Sequence, residues 1–187
     1  MSDEMWPPRE GDWMQTYSGG RFYPLDPRAE DLNPEDIAHA LSLLCRYGGH
    51  VDRFYSVAEH CVLMSRAVAP EHALAALLHD ATEAYVVDVP RPLKRYLGRY
   101  RDIEDMVWLA IVARFGVPVS LPPEVIEADS RILLTERRAL MPRAERWSQD
   151  DDYSALPVEV YGWMPDVAEK FYLSRLAELT AALGPDR

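Results

Sequence analysis

From about residue 33 onward, apolar positions recur three and four residues apart, a period that predicts helices. The first opens at 33-NPEDIAHALSLLCRY-47, with Asn33 as N-cap, Pro34 at the first helical position and Glu35 and Asp36 complementing the dipole. Ile37, Leu41 and Leu44 form its apolar stripe, and Gly48-Gly49 is expected to end it. A second begins at 56-SVAEHCVLMSRAV-68, where Ser56 and Glu59 make an S-x-x-E capping box. A third is expected to run unbroken from after Pro70 to about Tyr85, followed by the Pro-punctuated connection 86-VVDVPRPLK-94. A fourth covers roughly 97–115 and stops at Gly116, and a fifth runs from Pro122-Pro123 through 124-EVIEADSRILLTERRAL-140. After a polar, irregular stretch over 142–163, a last helix spans about 165–183, with Tyr172, Leu176, Leu179 and Leu183 on one stripe. Residues 1–32 hold Trp6, Pro7, Pro8, Gly19, Gly20, Pro24 and Pro27 and read as loops, with one short extended piece around Arg21-Phe22-Tyr23.

These elements predict an all-α fold, a compact bundle of five or six helices with an irregular N-terminal segment. The length of 187 residues fits a single domain. It divides into an arm over 1–32, a core over 33–140, and a loop with the last helix over 141–187. Composition is ordinary for a soluble globular chain, with 48% apolar and 27% charged residues. The longest apolar run, 106–113, is too short to span a bilayer, and MSDEMWPPREGD lacks the layout of a signal peptide, so a cytoplasmic protein without a membrane partner is expected. Cys45 and Cys61 form no metal-type pair and fall in segments read as helical, where a small buried hydrophobe is the expected role. A net charge of 20 − 31 = −11 disfavours a nucleic-acid polymer as partner. A small phosphate ester stays open to it, provided a local positive site is built.

The chemistry concentrates in 73-ALAALLHDATEAYVVDVPRPLK-94. His79, Asp80, Glu83 and Asp88 leave an apolar helical run with no Lys or Arg before Arg91. In helical register Glu83 lies at i+4 from His79 and i+3 from Asp80, on the same side. Several carboxylates gathered together require a cation, and a divalent metal would supply it. Further ligands are then expected on facing helices. His60 sits among Val57, Ala58, Val62 and Leu63, and Asp129 interrupts the apolar face Val125, Ile126, Ile132, Leu133. His60, His79, Asp80 and Asp129 make an N2O2 set that leaves room for water and a substrate oxygen on one divalent transition metal: Co, Mn, Zn, Fe or Ni, or else Mg.

The order H…HD…D, together with 46-RYGGHVDRFYSVAEH-60, 79-HDATEAYVVDVPRPLK-94 and 127-EAD-129, resembles the HD-domain metal-dependent phosphohydrolases. Within them the chain is similar to the branch that holds bacterial 5′-deoxynucleotidases and phage dATP triphosphohydrolases, over roughly residues 33–140. The resemblance implies His60, His79, Asp80 and Asp129 as metal ligands and Glu83 as the acid that activates water or protonates the leaving oxygen. It also implies Asp88 as a second acid near the sugar or the water, with Arg46 and Lys94 as phosphate-binding cations. Two departures bear on substrate choice: His60 and His79 are only 19 residues apart, and Tyr47 follows Arg46 where tryptophan is expected, an aromatic that could still stack on a base.

Plainer roles compete at several positions. Glu59 is better read as a cap than a catalyst, Arg46 could serve a helix C-terminus, and Asp88 could cap the Pro turn. Lys94 could be ordinary surface. His39 reads as structural, His50 as a loop histidine, Trp108 as core or subunit interface, and 145–152 as a solvated loop. The leading expectation is hydrolysis of a (deoxy)nucleoside 5′-monophosphate to nucleoside and phosphate by a homo-oligomer, a dimer or dimer-based. The alternatives are a dATP-type triphosphohydrolase and a non-catalytic nucleotide sensor.

Overall fold

Asn33 caps the first helix as its position predicts: its side-chain oxygen accepts the N–H of Glu35 at 2.9 Å, and α1 runs Pro34–Leu43. It ends four residues earlier than the apolar period suggests. Leu44 turns extended, and Cys45 pairs with Ser56 in an isolated antiparallel bridge, so Cys45 is not helical. The backbone groups that a longer helix would use are taken by the chain before α2: Arg46 N–H bonds Tyr55 O at 2.9 Å and Val57 N–H bonds Leu44 O at 3.0 Å. A 3-10 turn over Arg46–Gly49 follows, with Tyr47 and Gly48 at φ 58° and 60°. The computed structural model describes residues 8–141, 143, 145, 147 and 152–182. Trp6, Pro7, Leu183 and residues 146 and 148–151 of the expected polar loop lie outside the described residues.

Helix α2, Val57–Ala67, starts where Ser56 accepts the N–H of Glu59 at 3.1 Å. The unbroken third helix of the sequence reading is two pieces, α3 (Ala73–Leu78) and α4 (Glu83–Val86). Between them the ladder tightens, with Ala81 N–H on Leu78 O at 2.9 Å and Glu83 N–H on Asp80 O at 3.0 Å. Bonds of this i+3 kind stack residues three apart, which sets Glu83 over Asp80. Val87 then takes φ 62°, a strained conformation for a β-branched residue, and the Tyr100 hydroxyl holds the carbonyls of Val86 and Val87 at 3.1 and 2.9 Å. Short α5 (Arg91–Lys94) leads to α6 (Tyr100–Phe115), which Gly116 ends in the left-handed conformation. Helices α7 (Pro123–Leu140) and α8 (Pro165–Ala181) complete the all-α fold. The one sheet among the described residues pairs β1 (Met14–Gln15) with β2 (Arg21–Phe22), so the expected extended piece has a partner strand that the sequence reading did not foresee.

Helix α2 feeds two adjoining hydrophobic clusters, and residues 57–65 are all buried. One gathers Ile37, Leu41, Val62, Leu78, Ile111 and Tyr172 around it; the other gathers Tyr55, Met64, Val125, Ile132 and Leu140. Phe22 of β2 and Tyr172 of α8 are fully buried in the first, so the core extends on both sides of 33–140. The buried face of α7 is Val125, Ala128, Ile132, Glu136 and Leu140; Ile126 is exposed and Leu133 half-buried, which corrects the face read from the sequence. Among the described residues no helix is long and apolar enough to cross a membrane.

Candidate metal centre

Three segments bring the expected ligands together. His60 projects from the first turn of α2, His79 and Asp80 from the tight turn after α3, and Asp129 from α7. His60 Nε2 lies 3.2 Å from His79 Nε2, 3.5 Å from Asp80 Oδ2 and 3.6 Å from Asp129 Oδ1. His79 Nε2 lies 3.2 Å from Asp80 Oδ2 and 4.0 Å from Asp129 Oδ1. Metal bonds of about 2.1 Å place neighbouring donors roughly 3.0 to 3.4 Å apart at octahedral or tetrahedral angles. The two contacts of His79 Nε2 at 3.2 Å fall in that range, and the others, at 3.5 to 4.0 Å, are somewhat wider, as in a site that would draw in around one ion. The two imidazoles are buried, whereas Asp80 and Asp129 keep about a fifth of their side-chain surface open, which makes the cluster accessible from one side. Cys61 Sγ also reaches His79 and Asp80, but the thiol is fully buried and pushed up to about 11 by that burial, which makes it a poor ligand beside two carboxylates.

Both rings are oriented for this use. His79 Nδ1 faces the carbonyl of Ala76 at 2.8 Å and His60 Nδ1 faces Glu136 Oε1 at 2.6 Å. A carbonyl and an ionised carboxylate can only accept, so each Nδ1 carries a proton and each Nε2 is turned toward the other, free to bind an ion once it holds no proton of its own. Glu136 is the site residue that sequence reasoning missed. It is fully buried and also accepts from Tyr55 OH at 2.8 Å and Tyr47 OH at 2.5 Å, with Arg46 Nε 3.3 Å away. Burial opposes its charge, but Arg46 and His60 hold the carboxyl at about 2. A signal was present: an acid at i+4 from Ile132 and i−4 from Leu140 interrupts the apolar stripe of α7, which is the argument that singled out Asp129.

The expectation that these acids lack a fixed cation is overturned. Arg46 Nη1 lies 3.2 Å from Asp80 Oδ2, and Arg91 Nη2 lies 2.9 Å from Asp129 Oδ2. Glu83 and Asp88 nevertheless add their carboxyl groups beside Asp80, so the two guanidiniums do not balance the acids gathered here. Burial, then the charges of Asp80 and Asp88, push Glu83 well above the ordinary carboxylate range, and its Oε2 has no hydrogen-bond partner among the described residues. Burial raises Asp88 as well, against the pull of Arg46. Burial opposes ionisation of Asp80 too, yet His79, His60 and Arg46 hold it well below the ordinary range. The same pair works in reverse on His79, where Asp80 outweighs burial and lifts the imidazole well above its usual value.

The remaining candidates are placed less directly. Tyr47 is half-buried with its hydroxyl on Glu136, and Lys94 pairs with Glu104 at 2.6 Å while offsetting a little of the rise that burial imposes on Asp88. Residues 91–101 carry five Arg or Lys and no acid. Arg91, Arg95, Arg99 and Arg101 are exposed, which supplies the local positive surface that an acidic chain needs for an anion. His39 bonds Glu169 at 3.0 Å and stacks on Tyr17, a structural role, while His50 is exposed. Half-buried Trp108 packs on the core and donates to Val119 O at 2.7 Å. Glu59 is no simple cap: its carboxylate accepts the N–H groups of Tyr161, Gly162 and Trp163.

No family model matches the chain. It is 44% identical over 128 residues to the uncharacterized protein YfdR of Escherichia coli, a match that covers 68% of this chain and 72% of that protein. It is also 38% identical over 126 residues to the uncharacterized protein RCAP_rcc00048 of Rhodobacter capsulatus, over 62% of this chain and 64% of that one.

Proposed function

This chain belongs to the family of the Escherichia coli protein YfdR, and we propose that it is a divalent-metal-dependent phosphohydrolase of the HD-domain type. Its proposed reaction releases orthophosphate from a (deoxy)nucleoside 5′-monophosphate. The observation that supports this most is the pair of Nε2 atoms 3.2 Å apart on rings whose Nδ1 protons are already engaged, with two aspartate oxygens alongside. His60, His79, Asp80 and Asp129 would hold the ion. Once bound, it supplies Lewis acidity at the phosphoryl oxygen and a water of lowered pKa.

The chain's own groups do the rest. Burial beside other acids favours the protonated form of Glu83, and its role is to give that proton to the departing sugar oxygen. Asp88 lines the same acidic side and orients the water or the sugar. Arg46 has five N–H donors, so its contacts to Asp80 and Glu136 leave others for a phosphate oxygen. Lys94 and Arg91 neutralise charge at the open side. Tyr47, turned toward Glu136, supports Arg46 rather than offering its face freely to a base. The native metal is a transition ion such as Co, Mn, Zn, Fe or Ni, or else Mg, and the working form a homo-oligomer, which light scattering tests.

A second reading draws on the five cations over residues 91–101, more positive charge than a monophosphate requires. It makes the substrate a deoxynucleoside triphosphate such as dATP, cut to nucleoside and tripolyphosphate. One panel decides: nucleoside mono-, di- and triphosphates with Co²⁺, Mn²⁺, Zn²⁺ and Mg²⁺. Orthophosphate from a monophosphate supports the first reading and tripolyphosphate from a triphosphate the second. Release of neither, from a protein that binds the metal, removes both and leaves a nucleotide sensor.

A further inference from the structure

Glu136 is fully buried, is not among the expected ligands, and yet meets four donors. Oε1 receives His60 Nδ1–H at 2.6 Å and Tyr55 OH at 2.8 Å; Oε2 receives Tyr47 OH at 2.5 Å and faces Arg46 Nε at 3.3 Å. We propose that Glu136 is a positioning residue that sets the tautomer of His60 and the direction of Arg46, so that the ligand set is assembled before any dication arrives. The proposal rests on the metal reading of the site and deepens it.

A neutral imidazole has one N–H, and a carboxylate can bind it only as acceptor. Holding Nδ1–H therefore fixes the lone pair on Nε2, the atom that meets His79, Asp80 and Asp129. The other oxygen reaches a second ligand indirectly, because Arg46 passes from Glu136 to Asp80 Oδ2 at 3.2 Å. One buried anion thus controls two of the four ligands, His60 by contact and Asp80 through the guanidinium. The backbone is shaped for this. Arg46 and Tyr47 are consecutive, and both meet the same carboxylate, Arg46 as an ion pair and Tyr47 as a hydrogen-bond donor, because α1 stops at Leu43 and Tyr47 takes φ 58°, a conformation uncommon for a residue with a side chain. A helix continued through Tyr47 would point the two side chains about 100° apart. A purely structural ion pair would need Arg46 alone and would leave the imidazole tautomer unspecified.

The experiment uses the full chain stripped of metal. Long-range ¹H–¹⁵N NMR of the wild type is expected to show His60 protonated at Nδ1 and bare at Nε2. Glu136→Gln keeps the size but turns an amide N–H₂ toward donors. In that variant His60 is expected to move wholly or partly to the Nε2–H form, and Co²⁺ affinity by calorimetry to fall roughly 10- to 100-fold. Tyr55→Phe removes another donor to the same oxygen but leaves the carboxylate on His60 Nδ1, so the tautomer of His60 should stay as in the wild type and the Co²⁺ affinity should fall less than in Glu136→Gln. Where Glu136→Gln does not fold, the wild-type spectrum decides, because His60 carrying its proton on Nε2 overturns the proposal. A folded Glu136→Gln protein with unchanged tautomer and affinity overturns it equally. A wild type that binds no metal at all refutes instead the reading on which the proposal stands, and does so before any substitution is made.

Discussion

His60 Nε2 and His79 Nε2 stand 3.2 Å apart while the Nδ1 of each ring is held by an acceptor, Glu136 on one side and the Ala76 carbonyl on the other. Two lone pairs this close need a positive charge near them, either a proton or a metal ion. Asp80 lifts His79 well above its ordinary value, so at neutral pH the proton is the competitor. An entering ion must displace it. Metal affinity is therefore expected to rise with pH until the raised value of His79 is passed. Calorimetry at pH 7 in buffers of different ionisation enthalpy should detect about one proton released per ion. Binding without proton release would contradict the placement of His79 as a ligand. The sign for stability is opposite: the apo fold gains from the His79 proton below about pH 6.5 and loses that gain as pH rises through the raised value.

Arg91 would compete with an ion at this site from outside. Its side chain is 64% exposed, and its guanidinium meets Asp129 Oδ2, whereas His60 faces Oδ1. An ion pair so open to water contributes about 0–1 kcal/mol. Arg91→Ala should leave thermal stability nearly unchanged and should tighten metal binding by up to about fivefold, the factor that 1 kcal/mol allows. With nucleotide substrate the variant should raise KM and spare kcat. Weaker metal binding in Arg91→Ala would mean that the arginine supports Asp129 rather than competing for it.

Glu83 and Asp129 should separate cleanly by assay. Asp129→Ala removes a donor from the cluster and is expected to lose both metal and turnover. Glu83→Gln keeps the size and the cluster, so it should bind metal as the wild type does while kcat falls by roughly 10²- to 10⁴-fold. Full turnover in Glu83→Gln would sink its role as proton donor.

Glu136 also predicts how acid acts on the fold. Its carboxyl is held at about 2, below the unfolded value near 4.5. The charge therefore contributes stability that is complete above the unfolded value and is lost as pH falls toward 2. The contribution is on the order of 3 kcal/mol. Urea denaturation of apo wild type and Glu136→Gln from pH 6 to 3 should show the gap between them closing as pH drops below about 4.5. A constant gap would show that the carboxylate charge does not carry it.

The local parts of this fold are legible in the chain because their causes are local. Asn33 and Ser56 cap the helices that follow them, Gly116 ends α6, and Pro123 and Pro165 begin α7 and α8. The four expected ligands converge: His60 and Asp129 stood out on apolar faces, and His79-Asp80 at the end of an apolar run. What could not be read depends on distant pairing. The early end of α1 comes from the Cys45–Ser56 bridge, and the cations for Asp80 and Asp129 come from Arg46 and Arg91, 34 and 38 residues away in sequence. Glu136 lies 76 residues from the histidine it orients, and only its place on the stripe of α7 hints at burial. The turn at His79 escaped because its residues have ordinary helical propensity and the tightening is a matter of one hydrogen-bond step.

Glu59 precedes His60 on α2 but works in the opposite direction. It is fully buried and accepts the backbone N–H groups of Tyr161, Gly162 and Trp163 at 2.8, 3.0 and 2.5 Å, tying the segment before α8 to α2. Gly162 is needed there: it has φ 73°, and a Cβ would stand 3.0 Å from the Phe54 carbonyl oxygen. Gly162→Ala should therefore cost about 1–3 kcal/mol. Glu59→Gln places an amide N–H₂ against backbone donors and should cost a similar 1–3 kcal/mol. Neighbouring helical side chains point about 100° apart, so neither change reaches the Nε2 of His60. Both variants should unfold at lower temperature yet bind Co²⁺ with wild-type affinity while folded. Should Glu59→Gln instead keep its stability and lose the metal, Glu59 would belong to the ion's surroundings and the clasp on residues 161–163 would be incidental.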